Sequence, residues 1–429
     1  ALETLPARQA MAFTLRYLEG WSLDEVADAM QIDRGTVRIH VQRAVADARL
    51  AQPAWDALGG PCRAAVLERA ADLFERDMPR LVGLCVREAG KTVANGVGDV
   101  REAVDFLRYY ATMARADFAG PKPLPGPTGE RNEISLHGRG VFACISPWNF
   151  PVAIFTGQVA AALVAGNAVV AKPAEQTPLT AFTAVQLLHE AGVPGAVLQF
   201  LPGAGPAIGG ALVNDPRVDG VVFTGSTEVA QLINRNLATR PGPIATLIAE
   251  TGGQNAMLAD STALPEQLVH DVISSAFDSA GQRCSALRVL FVQEDVAERV
   301  LELLAGAMAE LRVGDPLRLD TDIGPVIDED ARAVLVAHAE RMQREGRLIA
   351  RTPLPADCSH GTYFPPQAFE IRSIDQLSRE VFGPVLHVVR FSASQLAQVC
   401  DAINATGYGL TLGVHSRLES FAEAVRAAV

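Results

Sequence analysis

The feature that most restricts the fold is a series of short apolar runs separated by helical stretches. Residues 140–146, 168–172, 197–201, 220–224 and 244–248 read as strands. Most of these runs are nearly continuous in apolar residues, so the sheet they form must be covered on both faces. Helical periodicity fills the intervals, and that alternation predicts an α/β domain with a largely parallel sheet. The apolar tract 152–171 is about long enough to cross a bilayer. It contains Gln158, Asn167 and two glycines and has no interfacial aromatic belt. A buried helix followed by a buried strand is therefore expected, in a soluble protein.

Upstream the pattern changes. Residues 63–118 are helical, with apolar spacing through Val66, Leu73, Leu81 and Leu84, then Val100, Val104 and Leu107. A Pro/Gly loop covers 120–129, and 132–136 alternates as a strand should. The first 50 residues read as a small all-α head. Ser22-Leu23-Asp24-Glu25 forms a capping box, Gln31-Ile32 a short turn, and Asp33 caps a second helix. There Val37, Val41 and Val45 make an apolar stripe while Arg34, Arg38 and Gln42 line another face. Two short helices around a tight turn describe a helix-turn-helix. The Pro-containing segment 51–61 is the expected linker.

Composition narrows the function classes. The 429 residues carry 37 basic and 49 acidic side chains, a formal charge of −12. Such a balance argues against wholesale binding of nucleic acid or anionic membrane and leaves only a local basic face open. The six cysteines, at 62, 85, 144, 284, 358 and 400, are scattered with no metal-ligand spacing. Free thiols in a reducing, cytoplasmic compartment and no metal site are expected.

Six motifs carry the chemistry. Ile145-Ser146-Pro147-Trp148-Asn149-Phe150-Pro151 and Lys172-Pro173-Ala174-Glu175 each end a strand. Phe223-Thr224-Gly225-Ser226-Thr227-Glu228 is a strand, a turn and a helix start. Glu250-Thr251-Gly252-Gly253, Gly281-Gln282-Arg283-Cys284-Ser285 and Glu380-Val381-Phe382-Gly383 follow. Singly each is weak: a Gly-Ser at a helix start is often only a turn, and a lone cysteine is more often a buried thiol than a nucleophile. Their joint order and spacing are what point to a site.

Together, from about residue 55 onward, they resemble the aldehyde dehydrogenase superfamily. Within it the tracts REAVDFLRYYATMAR, FTGSTEVA, ETGGQNAM and DSAGQRCSALRVL are most similar to the glutamate-semialdehyde (pyrroline-5-carboxylate) dehydrogenase module of proline utilisation A proteins. The resemblance implies a Rossmann-like NAD-binding domain over 51–249, with an oligomerisation hairpin near 121–140, and a catalytic domain over 250–429. It implies Cys284 as the nucleophile that forms a thiohemiacetal, with Asn149 and the Cys284 amide as the oxyanion hole. Glu250 is implied as the base that hydrolyses the resulting thioester. Lys172 and Glu175 take the adenosine ribose, a carboxylate there favouring NAD over NADP. Gly225 and Ser226 take the pyrophosphate, Glu380 the nicotinamide ribose, and Phe382 and Trp148 pack nearby. Ser285, Arg283 and Phe150 are the implied substrate-binding residues for an aldehyde.

Residues 1–50 resemble region 4 of a bacterial sigma factor, which places Arg34, Thr36, Arg38 and His40 toward DNA. A DNA reader and a helical cap on the larger domain both stay open, because the head carries six arginines against seven acids. The chain stops at Val429, where relatives of the superfamily continue for several dozen residues. That implies an incomplete catalytic domain, with weakened substrate anchoring, turnover and homodimer. A regulator with a dehydrogenase-like sensor body, and a chimeric fragment, are the alternatives.

Overall fold

The computed structural model describes residues 34–429, with side chains from Arg38 onward. The capping box and first head helix, and the side chains of Arg34, Thr36 and Val37, lie outside the described residues. The helices are α1 (Arg34–Ala57), α2 (Gly60–Arg76), α3 (Met78–Ala89), α4 (Val93–Asp117), α5 (Ala153–Val164), α6 (Pro178–Glu190) and the short α7 (Gly210–Asn214). They continue with α8 (Thr227–Thr239), α9 (Pro265–Phe277), α10 (Glu294–Glu310), α11 (Glu329–Glu345), α12 (Leu396–Ala405) and α13 (Glu419–Ala428).

The strands are β1 (Lys122–Leu124), β2 (Asn132–Ile134), β3 (Val141–Ile145), β4 (Ala168–Lys172), β5 (Leu198–Phe200), β6 (Gly220–Thr224) and β7 (Thr246–Glu250). Then come β8 (Ala256–Ala259), β9 (Val289–Gln293), β10 (Arg347–Arg351), β11 (Gln367–Glu370), β12 (Val385–Phe391) and β13 (Leu412–His415). A five-stranded parallel sheet has the order β5-β4-β3-β6-β7. The strand order reverses beside β3, which makes a topological switch point at the carboxyl ends of β3 and β6. A six-stranded sheet has the order β10-β11-β12-β9-β8-β13 and is parallel except for the β10–β11 edge. The antiparallel hairpin β1–β2 stands apart and is largely exposed.

Each sheet has its own apolar core, one drawn from residues 41–233 and the other from 256–425. The tract 152–171 becomes α5 and β4, both buried almost throughout, which explains its unbroken apolarity. Among the described residues no helix is long and apolar enough to cross a membrane. The last strand of the first sheet begins two residues later than its apolar run suggests. Pairing with β6 fixes it, with Gly220 opposite Thr246 and Thr224 opposite Glu250, and leaves Ile244 88% exposed.

The segment 51–61 is not a flexible linker. Helix α1 continues through Pro53 to Ala57, so position 50 falls inside it. Trp55 Nε1 donates to Leu163 O at 2.8 Å, Gln52 Nε2 to Gly166 O at 2.9 Å, and Arg49 pairs with Asp219 at 2.8 Å. Val41, Ala44, Val45 and Ala48 are buried in the first core. The stripe read as the interior of a helix-turn-helix thus packs, from Val41 on, against the α/β body.

Candidate active site

Loops at the carboxyl ends of the first sheet reach loops that lead into the second, and the candidate residues gather there. Asn149 follows β3, is buried, and its Nδ2 donates to Gln282 O at 3.1 Å. That bond joins the loop after β3 to the loop before β9. The second loop has unusual backbone geometry. Ser279 (φ 55°), Ala280 (φ 54°) and Gly281 (φ 65°) are left-handed in succession. A Cβ on Gly281 would stand 2.3 Å from Gly383 O, so only glycine fits there. Ser279 and Ala280 carry strain of a kind that persists only where the surroundings over-determine it.

Three residues later the chain presents Cys284, half-buried. Asn255 Nδ2 holds its carbonyl at 2.6 Å and that of Ala286 at 2.9 Å. Burial pushes the Cys284 thiol above its ordinary range, and the charges of Glu380 and Glu250 push it the same way. The amides of Ser285 and Cys284 oppose that shift. The adjacent cation does not supply the counter-charge. Arg283 lies 3.8 Å from Asp278 and 5.9 Å from the Phe150 ring centroid, and its buried Nε has no hydrogen-bond partner. Ser285 is exposed, with its carbonyl 3.4 Å from Thr411 Oγ1. Glu250 is exposed at the end of β7, and its carbonyl accepts from Gly225 N at 3.1 Å.

Glu380 closes the site from the second sheet. Its carboxylate lies against Gly252, where a Cβ would meet Oε2 at 1.8 Å, and accepts from the Gly253 amide. Burial raises its pKa while Arg288 and that amide pull it back. Trp148 and Phe382 pack edge-to-face at 5.6 Å.

Sequence reasoning missed Arg288. It is 1% exposed and bonds Glu380 Oε1 at 2.9 Å, Gly281 O at 2.8 Å, Arg283 O at 2.9 Å and Gly383 O at 3.2 Å. It also lies 5.3 Å from the Phe382 ring. One guanidinium therefore ties the cysteine loop to the Glu380 loop. The available signal was an arginine directly before the apolar run of β9, where a charge must be buried and paired.

A second cluster lies along the same sheet edge. Lys172 ends β4, is buried, and its Nζ donates to Pro173 O at 2.6 Å. Burial lowers its pKa, opposed by Glu175. Glu175 accepts from the Gly205 amide. Gly225 begins the next turn, where a Cβ would stand 2.6 Å from the Phe223 ring. Ser226 caps α8, accepting from Val229 N at 3.3 Å. A buried lysine beside a carboxylate, a glycine turn and a capped helix start at the switch point of a doubly wound sheet fit a dinucleotide. Arg38 and His40 are not part of either cluster. Both are exposed on α1, and Arg38 faces a groove with Asp215 and Pro216.

The chain belongs to the aldehyde dehydrogenase family: that family's model matches residues 27–429. A model of Sigma-70, region 4 matches residues 1–47. The bifunctional protein PutA of Klebsiella aerogenes is 54% identical over 387 residues, which is 88% of this chain and 28% of that protein. A 1-pyrroline-5-carboxylate dehydrogenase of Geobacillus is 36% identical over 379 residues, 87% of this chain and 72% of that enzyme. Among solved structures, a bifunctional proline utilization A protein superposes with a TM-score of 0.89 at 54% identity, over 91% of this chain and 40% of that one. The 1-pyrroline-5-carboxylate dehydrogenase from Thermus with bound NAD does so at 0.86 and 34%, over 90% and 75%. The chain thus spans less than a third of the length of the PutA relative it matches.

Proposed function

We propose that this chain is the catalytic module of an NAD-dependent L-glutamate γ-semialdehyde dehydrogenase, acting in proline catabolism. The observation that carries the reading is Cys284 on a loop hydrogen-bonded to Asn149 and set within the fields of Glu250 and Glu380. Burial disfavours the Cys284 thiolate, so attack on an aldehyde needs a group that takes the thiol proton. Glu250 would take it and pass it to solvent before the hydrolytic step. The Cys284 sulfur then bonds the carbonyl carbon, and the Asn149 amide with the Cys284 N–H receives the oxyanion. NAD, when bound, supplies the two-electron acceptor that leaves the cysteine as a thioester. Glu250 activates the water that releases the acid. Lys172 and Glu175 would hold the adenosine ribose, Gly225 and Ser226 the pyrophosphate, and Glu380, with Phe382 and Trp148 beside it, the nicotinamide ribose. Ser285 and Arg283, the chain neighbours of Cys284, and Phe150 would receive the rest of the substrate. NADH formation from glutamate semialdehyde, abolished in Cys284→Ala, is expected; a folded chain that reduces no NAD with this aldehyde overturns the proposal.

Two further readings rest on narrower support. The match of residues 1–47 to Sigma-70, region 4 supports DNA contact through Arg34, Thr36, Arg38 and His40. A gel shift that weakens with salt and is lost in Arg38→Ala is expected, and no shift at low salt ends that reading. The hairpin β1–β2, with Leu124 and Ile134 exposed, supports a homodimer. Sedimentation showing only monomer at micromolar concentration counts against it.

A further inference from the structure

Helix α4 takes no part in the chemistry read from the sequence, where Val100, Val104 and Leu107 mark it only as a core helix. Another of its faces points at the site. Asn95 and Asp99 are four residues apart and so lie one above the other. Asp99 is 1% exposed, and its Oδ1 accepts from Ala153 N at 2.8 Å. The same carboxylate engages the Val152 amide. These are orphan amides at the start of α5, which has no capping side chain of its own. A carboxylate there satisfies the donors and faces the positive helix end. Val152 stands three residues beyond Asn149, so this borrowed cap fixes the loop that carries Asn149 and Phe150.

The other contact of this face reaches the nucleophile loop. Asn95 Oδ1 accepts from Ser279 N at 3.1 Å, at the first left-handed residue before Cys284. Lys91, 3% exposed, completes the group. Its Nζ lies 3.8 Å from Asp99 Oδ2 and 4.1 Å from the Phe150 ring centroid, and has no hydrogen-bond partner. Cys85 Sγ faces the same carboxylate at 3.7 Å. Burial pushes the Asp99 carboxyl up, against the pull of Lys91 and the two amides. A buried pair of this kind is poor evidence for stability, because apolar residues of similar volume often replace one at no cost. Its place, between Phe150 and the start of α5, gives it a different use.

We propose that Lys91, Asn95 and Asp99 are positioning residues for the aldehyde reaction, registering the Asn149–Phe150 loop and the Cys284 loop against the start of α4, with Lys91 just before it. They touch no reacting atom and act through Asn149, Phe150 and Cys284, so the proposal rests on the function assigned above.

The test separates the two arms by amide hydrogen exchange in the whole chain. The paired variant Lys91→Met/Asp99→Leu, which leaves no unmatched charge, should raise exchange at least about tenfold in residues 147–156 and leave 278–286 unchanged. Asn95→Ala should do the reverse. If the paired variant does not fold, Lys91→Met/Asp99→Asn, which keeps the volume at 99 and leaves no unmatched charge, should still raise exchange in 147–156 and not in 278–286. Equal changes in both segments, or none in either, overturn the proposal. Kinetics supply the second arm: the Asp99 variant should lower kcat at least about tenfold at unchanged KM for NAD, and should have no further effect in an Asn149→Ala background. Additive losses overturn it. A parent chain that oxidises no aldehyde refutes the assigned function, while the exchange pattern still decides the positioning.

Discussion

The two loops that meet at the Asn149–Gln282 hydrogen bond are held in opposite ways. The loop at 147–151 contains no left-handed residue, runs from β3 into α5, and is anchored by a carboxylate borrowed from α4. The loop at 278–286 winds through three left-handed residues, two of them not glycine, and is clasped by the buried guanidinium of Arg288. Charge at a helix end places the first; strain held shut by a buried cation places the second. Any strand-to-helix connection can form the first kind of loop. The second exists only because groups far along the chain converge on it, so it should be the more fragile of the two.

Arg288→Met puts that contrast under the greatest load. It leaves Glu380 buried without its cation and should cost about 3–5 kcal/mol. Urea unfolding measures it, and a loss near zero would show that the cation does not clasp the loop. Asn149→Ala should lower kcat by about 10²–10³ and, by leaving Gln282 O unpaired, cost about 1–3 kcal/mol of stability, as steady-state NADH formation and thermal melting would report. An unchanged kcat would remove Asn149 from the reaction.

The next effect is on pH. Burial raises the Cys284 thiol, so at neutral pH most of it is protonated and only the thiolate reacts. Alkylation of Cys284 should therefore accelerate about tenfold per pH unit until the raised pKa is passed. A rate flat from pH 6 upward would mean a preformed thiolate. Smallest is Ala280→Gly, which relieves a left-handed alanine and should stabilise the chain by up to about 1 kcal/mol, less the lost buried methyl. A destabilised variant would show that the loop at 278–286 is not strained.

Much of the fold is legible in the residues themselves. The runs 168–172 and 220–224 coincide with β4 and β6, because a fully covered parallel strand must be apolar along its length. The end of the first sheet and the segment 51–61 were misread for one reason: long-range partners decided them. Register with β6 moved β7, and Trp55, Gln52 and Arg49 docked a Pro-containing stretch as helix. Within the candidate site, Asn149, Cys284 and Glu380 are proposed from motif order and the family resemblance it carries. Arg288, Asp99 and the left-handed Ser279 and Ala280 are not, since no local pattern sets apart a buried arginine, a remote cap or a strained alanine.

What the sequence determined alone is the alternation of strands and helices, and which chemical groups stand at the strand ends. The first follows from continuous apolar runs set between stretches of 3.6-residue period, and the second from the residues directly after each run, both local properties of the chain. The tertiary structure decided that Arg283 faces Asp278, that Glu380 shares its carboxylate with Arg288 and the Gly253 amide, and that burial pushes the Cys284 thiol upward. Those outcomes depend on burial and on charges dozens of residues away, and only the assembled packing brings them within a few ångströms of one another.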